Sequence, residues 1–521
     1  MKKQDHLENM RDGQTESPWQ SSLSREIEQP AAENGVIYDT LIVGGGITGI
    51  TTAFLLQKSG QKCVLAEAHC LGFGTTGGTT AHLNTFFDTT YPEIDGAFGT
   101  EASKMMATAA KNVIDFIQAN VDTLGINADF EYKDAYLFSQ TEKETAQLQE
   151  ILSAAKQAGV AVSEVFENGL PIDFEHALLF KDQAQFHPLK YIYAMAEAFQ
   201  KLGGILLENT IITGSSFKDE IHNAEAEHIT LQAKNLVYAT HIPPGVNLLS
   251  LRNAPYRSYV LGVKLEDGNY PESLAYDMQE PYHYFRTHKI NGEKILIVGG
   301  EDHKTGHEDP QQAFENLEQY VRKYFKVSDI PYRWSSQYYV PVDGLPYIGH
   351  LPGGEERVFA ATGFNGNGMI LGTLSALILH DLILKKENRL ADLFKPSRLK
   401  PVAGFVEFIK ENADVAYHFV ADRFSAETLD SINQLEPDEG KIVSFEGHKM
   451  AIYKDAKGQV TALSPTCTHA GCTVKWNGTE KSWDCPCHGG RYAINGKVIT
   501  GPPQKDLEQI NISKMTFLNE I

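Results

Sequence analysis

The chain has 521 residues, too many for one ordinary domain, so two or three are expected. Hydrophobic residues make up 42 % and aromatics 10 %, enough for sizeable cores. Lys and Arg number 46 against 67 Asp and Glu, and the resulting net charge of −21 opposes binding to nucleic acid or to an anionic membrane.

The first stretch, residues 1–36, is polar and holds no apolar run that could act as a signal sequence, so a disordered lead-in is expected. From Tyr38 a strand-like run, Thr40-Leu41-Ile42-Val43, enters Gly44-Gly45-Gly46-Ile47-Thr48-Gly49 and then a helical pattern. This is a G-x-G-x-x-G between strand and helix. Gly44 permits the tight turn, Gly46 lets the backbone approach a pyrophosphate, and Gly49 permits close packing of helix on strand. A bare glycine motif is weak evidence, but here a second strand, Lys62–Ala66, ends at Glu67, eighteen residues after Gly49. An acid there can accept hydrogen bonds from both ribose hydroxyls of an adenosine.

Glycines and small hydroxylated residues alternate again from Gly72 to Ala81, which suits a loop pressed against a long dinucleotide. Alternating strand and helix signals continue to about Leu390. Near their end, Asp343-Gly344-Leu345-Pro346 leads to Gly363-Phe364-Asn365-Gly366-Asn367-Gly368-Met369 and the most apolar stretch, Met369–Leu384. That stretch is interrupted by His380 and Asp381 and is too short to span a bilayer. Leu371, Leu374, Ile378 and Leu382 recur at helical spacing, which predicts a packed core helix. A soluble, cytoplasmic protein without a transmembrane segment is expected, with transient membrane association left open.

Residues 391–433 have a looser, Lys-Pro-punctuated texture and are read as a connector. From 434 to 521, short runs such as Lys441–Phe445, Lys449–Tyr453 and Val460–Leu463 are separated by Gly, Asp and Asn, the pattern of a small antiparallel β domain. Four of the six cysteines cluster between positions 467 and 487, which argues for a metal site over a secreted disulfide framework. Cys467-Thr-His469 and Cys485-Pro-Cys487-His488 offer one Cys and one His on each of two loops. That is the ligand set of a Rieske [2Fe–2S] centre, in which two thiolates hold one iron and two imidazoles the other. The expected ligands are Cys467, His469, Cys485 and His488; a zinc site with the same four residues is the alternative.

Residues 38–390 resemble the FAD-dependent oxidoreductases of the D-amino-acid oxidase, glycine oxidase and sarcosine oxidase group. The resemblance rests on the first glycine motif, Glu67, the Gly74–Ala81 loop and the Asp343–Met369 block. It implies an α/β FAD-binding domain (Rossmann-like, glutathione-reductase-type) built from segments 37–90, 186–245 and 336–390. An inserted α+β substrate domain would come from 91–185 and 246–335, and the small all-β Rieske domain would follow. FAD, held non-covalently, would contact Gly44, Gly46, Ile47, Thr48, Gly49, Glu67, Gly74, Thr75, Thr76, Gly77, Thr80, Gly363, Gly366, Gly368 and Met369.

The resemblance further implies transfer of a hydride equivalent from the carbon beside an amine nitrogen to the flavin, with the protein supplying position and field. Such enzymes need little acid–base machinery, and the candidate catalytic residues are His241, Arg286 and Tyr338. Tyr338 stands by register where the amino-acid oxidases hold the substrate carboxylate with an Arg. A tyrosine cannot give a bidentate charged clamp, which puts a free α-amino acid in doubt.

The C-terminal block is similar to Rieske domains of cytochrome bc and b6f complexes. By that resemblance Cys472 and Cys487 form a disulfide between the two cluster loops, Tyr492 bonds a ligand thiolate, and Gly501-Pro502-Pro503 covers a third side. Gly490 replaces a serine that bonds a bridging sulfide, which predicts an intermediate potential within the window of roughly −150 to +300 mV. Together the halves predict an enzyme that oxidises a small amine or N-substituted amino-acid-like substrate. Electrons would pass singly from flavin to cluster and on to an external acceptor, a protein or a quinone. The alternatives are a non-catalytic electron-transfer or redox-sensing module docking a protein, and an oxidase whose cluster is a gate or structural element.

Overall fold

The computed structural model describes residues 16–23, 27, 32, 35–398, 427–428, 434–445 and 447–511. Most of the expected lead-in, residues 399–426 and 429–433 of the expected connector, and residues 512–521 lie outside this set.

The first sheet has eight strands. At its centre β1 (Ile37–Val43) pairs in parallel with β2 (Cys63–Ala66) and β10 (Thr230–Tyr238). β7 (Ile205–Leu207) extends it beyond β2, and β17 (Val358–Thr362) beyond β10, both in parallel. β16 (Tyr347–His350) closes one edge antiparallel to β17, and the hairpin of β8 (Gly214–Lys218) and β9 (Ile221–Glu225) leans on β10. All four residues of β2 and all five of β17 are buried, as expected of parallel strands covered on both faces. The helix Ile47–Lys58 packs against the apolar helix Gly368–Ile383 and against the helix Pro188–Lys201.

The second sheet runs β15 (Val327–Pro341), β11 (Asn253–Leu265), β14 (Glu293–Lys304), β13 (Tyr284–Ile290), β12 (Leu274–Asp277), β4 (Glu131–Ser139), β6 (His176–Gln185), β3 (His82–Leu83), with β5 (Val162–Val165) beside β6. Its pairings are antiparallel except for β12 on β4. Two boundaries differ from those expected. Residues 336–341 continue β15 in the second sheet, and His82–Leu83 also joins that sheet. The chain therefore crosses from the substrate sheet to the flavin sheet beside the cofactor loops, and β15 ends where both meet.

The C-terminal domain has two four-stranded sheets. One is β18 (Glu427–Thr428), β19 (Glu439–Phe445), β20 (His448–Lys454) and β21 (Val460–Leu463). The other is β22 (Lys475–Asn477), β23 (Ser482–Asp484), β24 (Arg491–Ala493) and β25 (Val498–Thr500). The three runs expected as strands all fall inside β19–β21. The architecture is thus a mixed α/β flavin domain with an inserted substrate region, followed by a small all-β domain. Among the described residues no helix is long and apolar enough to cross a membrane.

Within the stretch expected to be a disordered lead-in, Pro18–Ser22 forms a short helix that docks on the flavin domain. Ser17 and Gln20 make a capping box, with Pro18 in the first turn. Trp19 is fully buried, donates from Nε1 to the Thr79 carbonyl at 2.6 Å, and packs edge-on against His187 and His288. The physical reason is burial: one indole removes enough apolar surface from water to fix a short segment.

Candidate functional site: a dinucleotide crevice, a tyrosine cage and a docked cluster

A single cavity of about 2060 Å³ runs between the two sheets of the flavin half and reaches the C-terminal domain. Ordinary small-molecule pockets span about 300–1,000 Å³. This one has room for a dinucleotide together with a substrate. At one end β1 stops at Val43 and Gly44 turns with φ +110°, where a Cβ would stand 2.4 Å from the Ala239 carbonyl oxygen. Gly46 begins the next helix with no side-chain cap of its own, and the first turn of that helix lines the cavity. Thr76 Oγ1 accepts from Ile47 N–H at 3.0 Å and ties the second glycine loop to that helix. Glu67 ends β2, accepts from Gly45 N–H at 2.6 Å and His69 N–H at 2.9 Å, and has its carboxyl pushed up by burial.

Of the residues expected to touch FAD, twelve line this cavity: Gly44, Gly46, Ile47, Thr48, Glu67, Gly74, Thr75, Thr76, Thr80, Gly366, Gly368 and Met369. Gly49, Gly77 and Gly363 do not. A Cβ on Gly49 would lie 1.9 Å from the Gly44 carbonyl oxygen, and one on Gly77 would lie 2.4 Å from that of Gly72. These three glycines shape the walls. The cradle, the acid and the cavity size all fit FAD.

At the other end four tyrosines, Tyr276, Tyr282, Tyr284 and Tyr338, gather around Asp302 and Asp88. Tyr338 O–H donates to Asp302 Oδ2 at 2.8 Å, while Asp302 Oδ1 is buried with no hydrogen-bond partner. The hydroxyls of Ser258 and Tyr284 are 2.7 Å apart. Asp88, at the cavity mouth, accepts from Gly366 N–H at 2.6 Å and from Tyr282 O–H at 3.4 Å. Burial pushes the Asp302 carboxyl up to about 7, whereas Asp88 keeps an exposed side chain at the mouth. Asn84 Nδ2 donates to Tyr276 O–H at 2.6 Å, and its own Oδ1 is orphaned. His82, beside Tyr276 and Tyr284, is held neutral by burial and by Arg286.

Of the three candidate catalytic residues, Tyr338 and His241 line the cavity. The His241 ring sits edge-on to Tyr339, with centroids 4.8 Å apart, and its Nδ1 lies 3.2 Å from Thr75 Oγ1. Arg286 is turned away. It is fully buried, donates to the carbonyls of Thr80 at 2.5 Å and Ala81 at 2.9 Å, and stacks over Trp19. It braces the cofactor loop from behind. Asp302, Asp88 and Ser258 were not singled out by sequence. The available signal was Glu301-Asp302-His303, charged residues that end the apolar run Ile295–Val298.

In the C-terminal domain the four expected ligands sit at the tips of two loops. The neighbouring Cys485 thiol draws the Cys467 thiol down, with Tyr492 also contributing. The rings of His469 and His488 are 4.8 Å apart at 82°, and burial holds both imidazoles neutral. The Nδ1 atoms of both histidines are buried without a partner. Two sulfurs on one side and two orphaned imidazole nitrogens on the other fit a Rieske [2Fe–2S] cluster. Cys472 and Cys487 are joined in a disulfide, and Tyr492 O–H lies 3.1 Å from Cys467 Sγ. A Cβ on Gly490 would be 2.8 Å from Pro503 Cδ, so the proline loop closes on a position that must lack a side chain.

The cluster loops are pressed against the flavin half. Tyr339 O–H donates to the His488 carbonyl at 3.1 Å, and Gln337 Nε2 donates to the Gly489 carbonyl at 3.0 Å. His469 Nε2 meets the Gly245 carbonyl at 3.2 Å. Gly489, at φ +72°, allows this approach, because a Cβ would come 2.6 Å from Pro255 Cβ. Beneath the contact Glu480, fully buried, receives Arg257 at 2.7 Å and also bonds Ser335 and Arg491. Arg491 Nε donates to Asp484 at 3.0 Å. On the opposite side of β15, the Gln337 carbonyl accepts from Thr75 Oγ1 of the cofactor loop at 3.1 Å.

A model of the FAD dependent oxidoreductase family matches residues 39–382, and one of the Rieske [2Fe-2S] domain matches residues 427–511. The chain belongs to the FAD-dependent oxidoreductases and carries a C-terminal Rieske [2Fe–2S] domain. Among its relatives is a Bacillus subtilis (strain 168) protein named for a Rieske 2Fe-2S iron-sulfur centre, YhfW. It is 34 % identical over 486 residues, 93 % of this chain and 95 % of the relative. The gamma-glutamylputrescine oxidoreductase of Escherichia coli (strain K12) is 22 % identical over 391 residues, 71 % of this chain and 89 % of that protein. In fold, the flavin half is similar to glycine oxidase from Geobacillus kaustophilus, with a TM-score of 0.58 at 21 % identity. That match covers 70 % of this chain and 99 % of the oxidase.

Proposed function

We propose that the flavin half oxidises a small amine or N-substituted amino-acid-like substrate, and that electrons pass singly to the Rieske cluster and on to an external acceptor. FAD supplies a two-electron acceptor, and the cluster takes electrons one at a time. The observation that carries this reading is the seat of the cluster loops on β15. Gln337 holds the Gly489 carbonyl on one side and receives Thr75 of the flavin loop on the other. One strand therefore touches both redox sites, and fusion keeps them at high effective concentration. The names of the two oxidising relatives, glycine oxidase and gamma-glutamylputrescine oxidoreductase, support an amine-bearing substrate.

Within the chain the roles follow from contacts. Glu67 and the glycine loops orient the dinucleotide, Arg286 and Trp19 hold the Thr79–Ala81 backbone, and the tyrosine cage receives the substrate. An anaerobic screen of amines against the purified holoenzyme tests the reading. The expected result is flavin bleaching followed by the electron paramagnetic resonance signal of a reduced cluster. Flavin bleaching with no cluster signal would contradict it.

A further inference from the structure

The cage has a charge pattern that says which end of a substrate it can hold. Asp302 Oδ1 is buried without a hydrogen-bond partner, and the groups around the carboxyl are the hydroxyls of Tyr338 and Ser258, the acid Asp88 and, behind the cavity wall, the His283 imidazole, which is itself held by Asp277 and Glu301. The two arginines nearest in sequence to the cage are already engaged: Arg286 by the Thr80 and Ala81 carbonyls, Arg257 by Glu480 and Ser335. Among the described residues lining the cavity, the only lysines are Lys497 and Lys505, both on the Rieske domain, and there is no arginine. A substrate carboxylate in the cage would meet Asp302 and Asp88, and the one cation whose charge reaches Asp302, His283, is already paired with Asp277 and Glu301. A cation would meet two carboxylates and the faces or hydroxyls of four tyrosines, the arrangement that favours ammonium groups in aromatic sites.

We propose that the cage built by Asp302, Tyr338, Tyr284, Tyr282, Tyr276 and Asp88 binds the ammonium group of a cationic amine with no carboxylate beside that nitrogen. This deepens the amine-oxidising reading and rests on it for the identity of the substrate, but the binding itself needs no turnover. Asp302 supplies the charge, Tyr338 orients its carboxylate, and the remaining rings exclude water.

Isothermal titration calorimetry of the holoenzyme with tetramethylammonium chloride, against sodium acetate at equal ionic strength, tests the cage directly. Tetramethylammonium has no N–H and serves as a dead-end probe. Saturable binding of the cation and none of acetate is expected. Asp302→Asn should weaken cation binding on the order of tenfold or more, and Tyr338→Phe, which keeps the ring, by about two- to threefold. Unchanged FAD content and cluster absorbance show that each variant is folded. Saturable acetate binding, no binding of the cation, or an Asp302→Asn protein that binds it as well as the wild type would overturn the assignment. If the cation binds but no amine bleaches the flavin, the cage stands and amine oxidation fails.

Discussion

Two places in this molecule gather acids, and they do so in opposite ways. At the domain interface Glu480 and Asp484 are matched by Arg257 and Arg491, and the network is closed to solvent. In the cavity Asp302 and Asp88 have tyrosines, a serine and a backbone N–H around them, and the one cation whose charge reaches Asp302, His283, is paired with Asp277 and Glu301 instead. A buried charge without a partner is unfavourable, so an acid left in that state in a cleft marks a place where a ligand completes the set. The paired acids fix one domain on another. The unpaired ones await something that arrives.

The largest expected effect lies on the paired side. Glu480→Ala removes the acid that Arg257 and Arg491 share, leaves Asp484 as the acid beside two buried guanidinium groups, and should destabilise the docked Rieske domain by about 3–5 kcal/mol. Urea denaturation followed through cluster absorbance checks this, and a loss under about 1 kcal/mol would remove the interface from the comparison. Trp19→Ala removes the fully buried indole under the cofactor loop and should cost about 3–4 kcal/mol, with reduced FAD content after dialysis.

The unpaired side predicts a pH signature. Burial raises Asp302 to about 7, whereas an unfolded aspartate titrates near about 3.9. The folded state therefore holds the proton more tightly. That contribution is fully present below about pH 4 and is lost as the pH rises through about 7. Asp302→Asn should thus gain melting temperature relative to the wild type between pH 5 and pH 8, measured on the holoenzyme without amine. A constant difference across that range would show Asp302 to be titrating normally. The smallest effect is expected at Tyr339→Phe, which removes the hydrogen bond to the His488 carbonyl and the one accepted from Gln337 Nε2, each worth about 0.5–1.5 kcal/mol. Cluster reduction should slow by no more than about tenfold, read by stopped-flow absorbance.

Much of this was legible in the sequence where function depends on local spacing. The glycine turn at Gly44–Gly49, Glu67 at the end of the next strand, and the two Cys/His loops each occupy a few consecutive residues whose chemistry admits few readings. The length of β15 carries no local mark, because its pairing with β11 as far as Asn253 and Pro341 is set by the partner strand. The Arg257–Glu480 contact joins residues 223 positions apart, and neither residue differs in sequence context from a solvated charge. The tyrosine cage is assembled from β12, β13 and the loop before it, β14, β15 and the loop after β3, so only the fold brings it together. Arg286 illustrates the converse: an arginine beside tyrosines looked available for substrate, yet three backbone carbonyls claim it. Trp19 had a readable signal in Ser17-Pro18-Trp19-Gln20, a capping pattern around a lone aromatic in a polar stretch.

The central claim is that electrons cross from flavin to cluster within one chain, through the seat on β15. Freeze-quench electron paramagnetic resonance after anaerobic mixing with a competent amine, repeated over a hundredfold range of protein concentration, tests it most directly. The account predicts that the reduced-cluster signal follows flavin bleaching at a rate independent of protein concentration. A rate that scales with concentration, or a cluster that stays oxidised beside a bleached flavin, would contradict it.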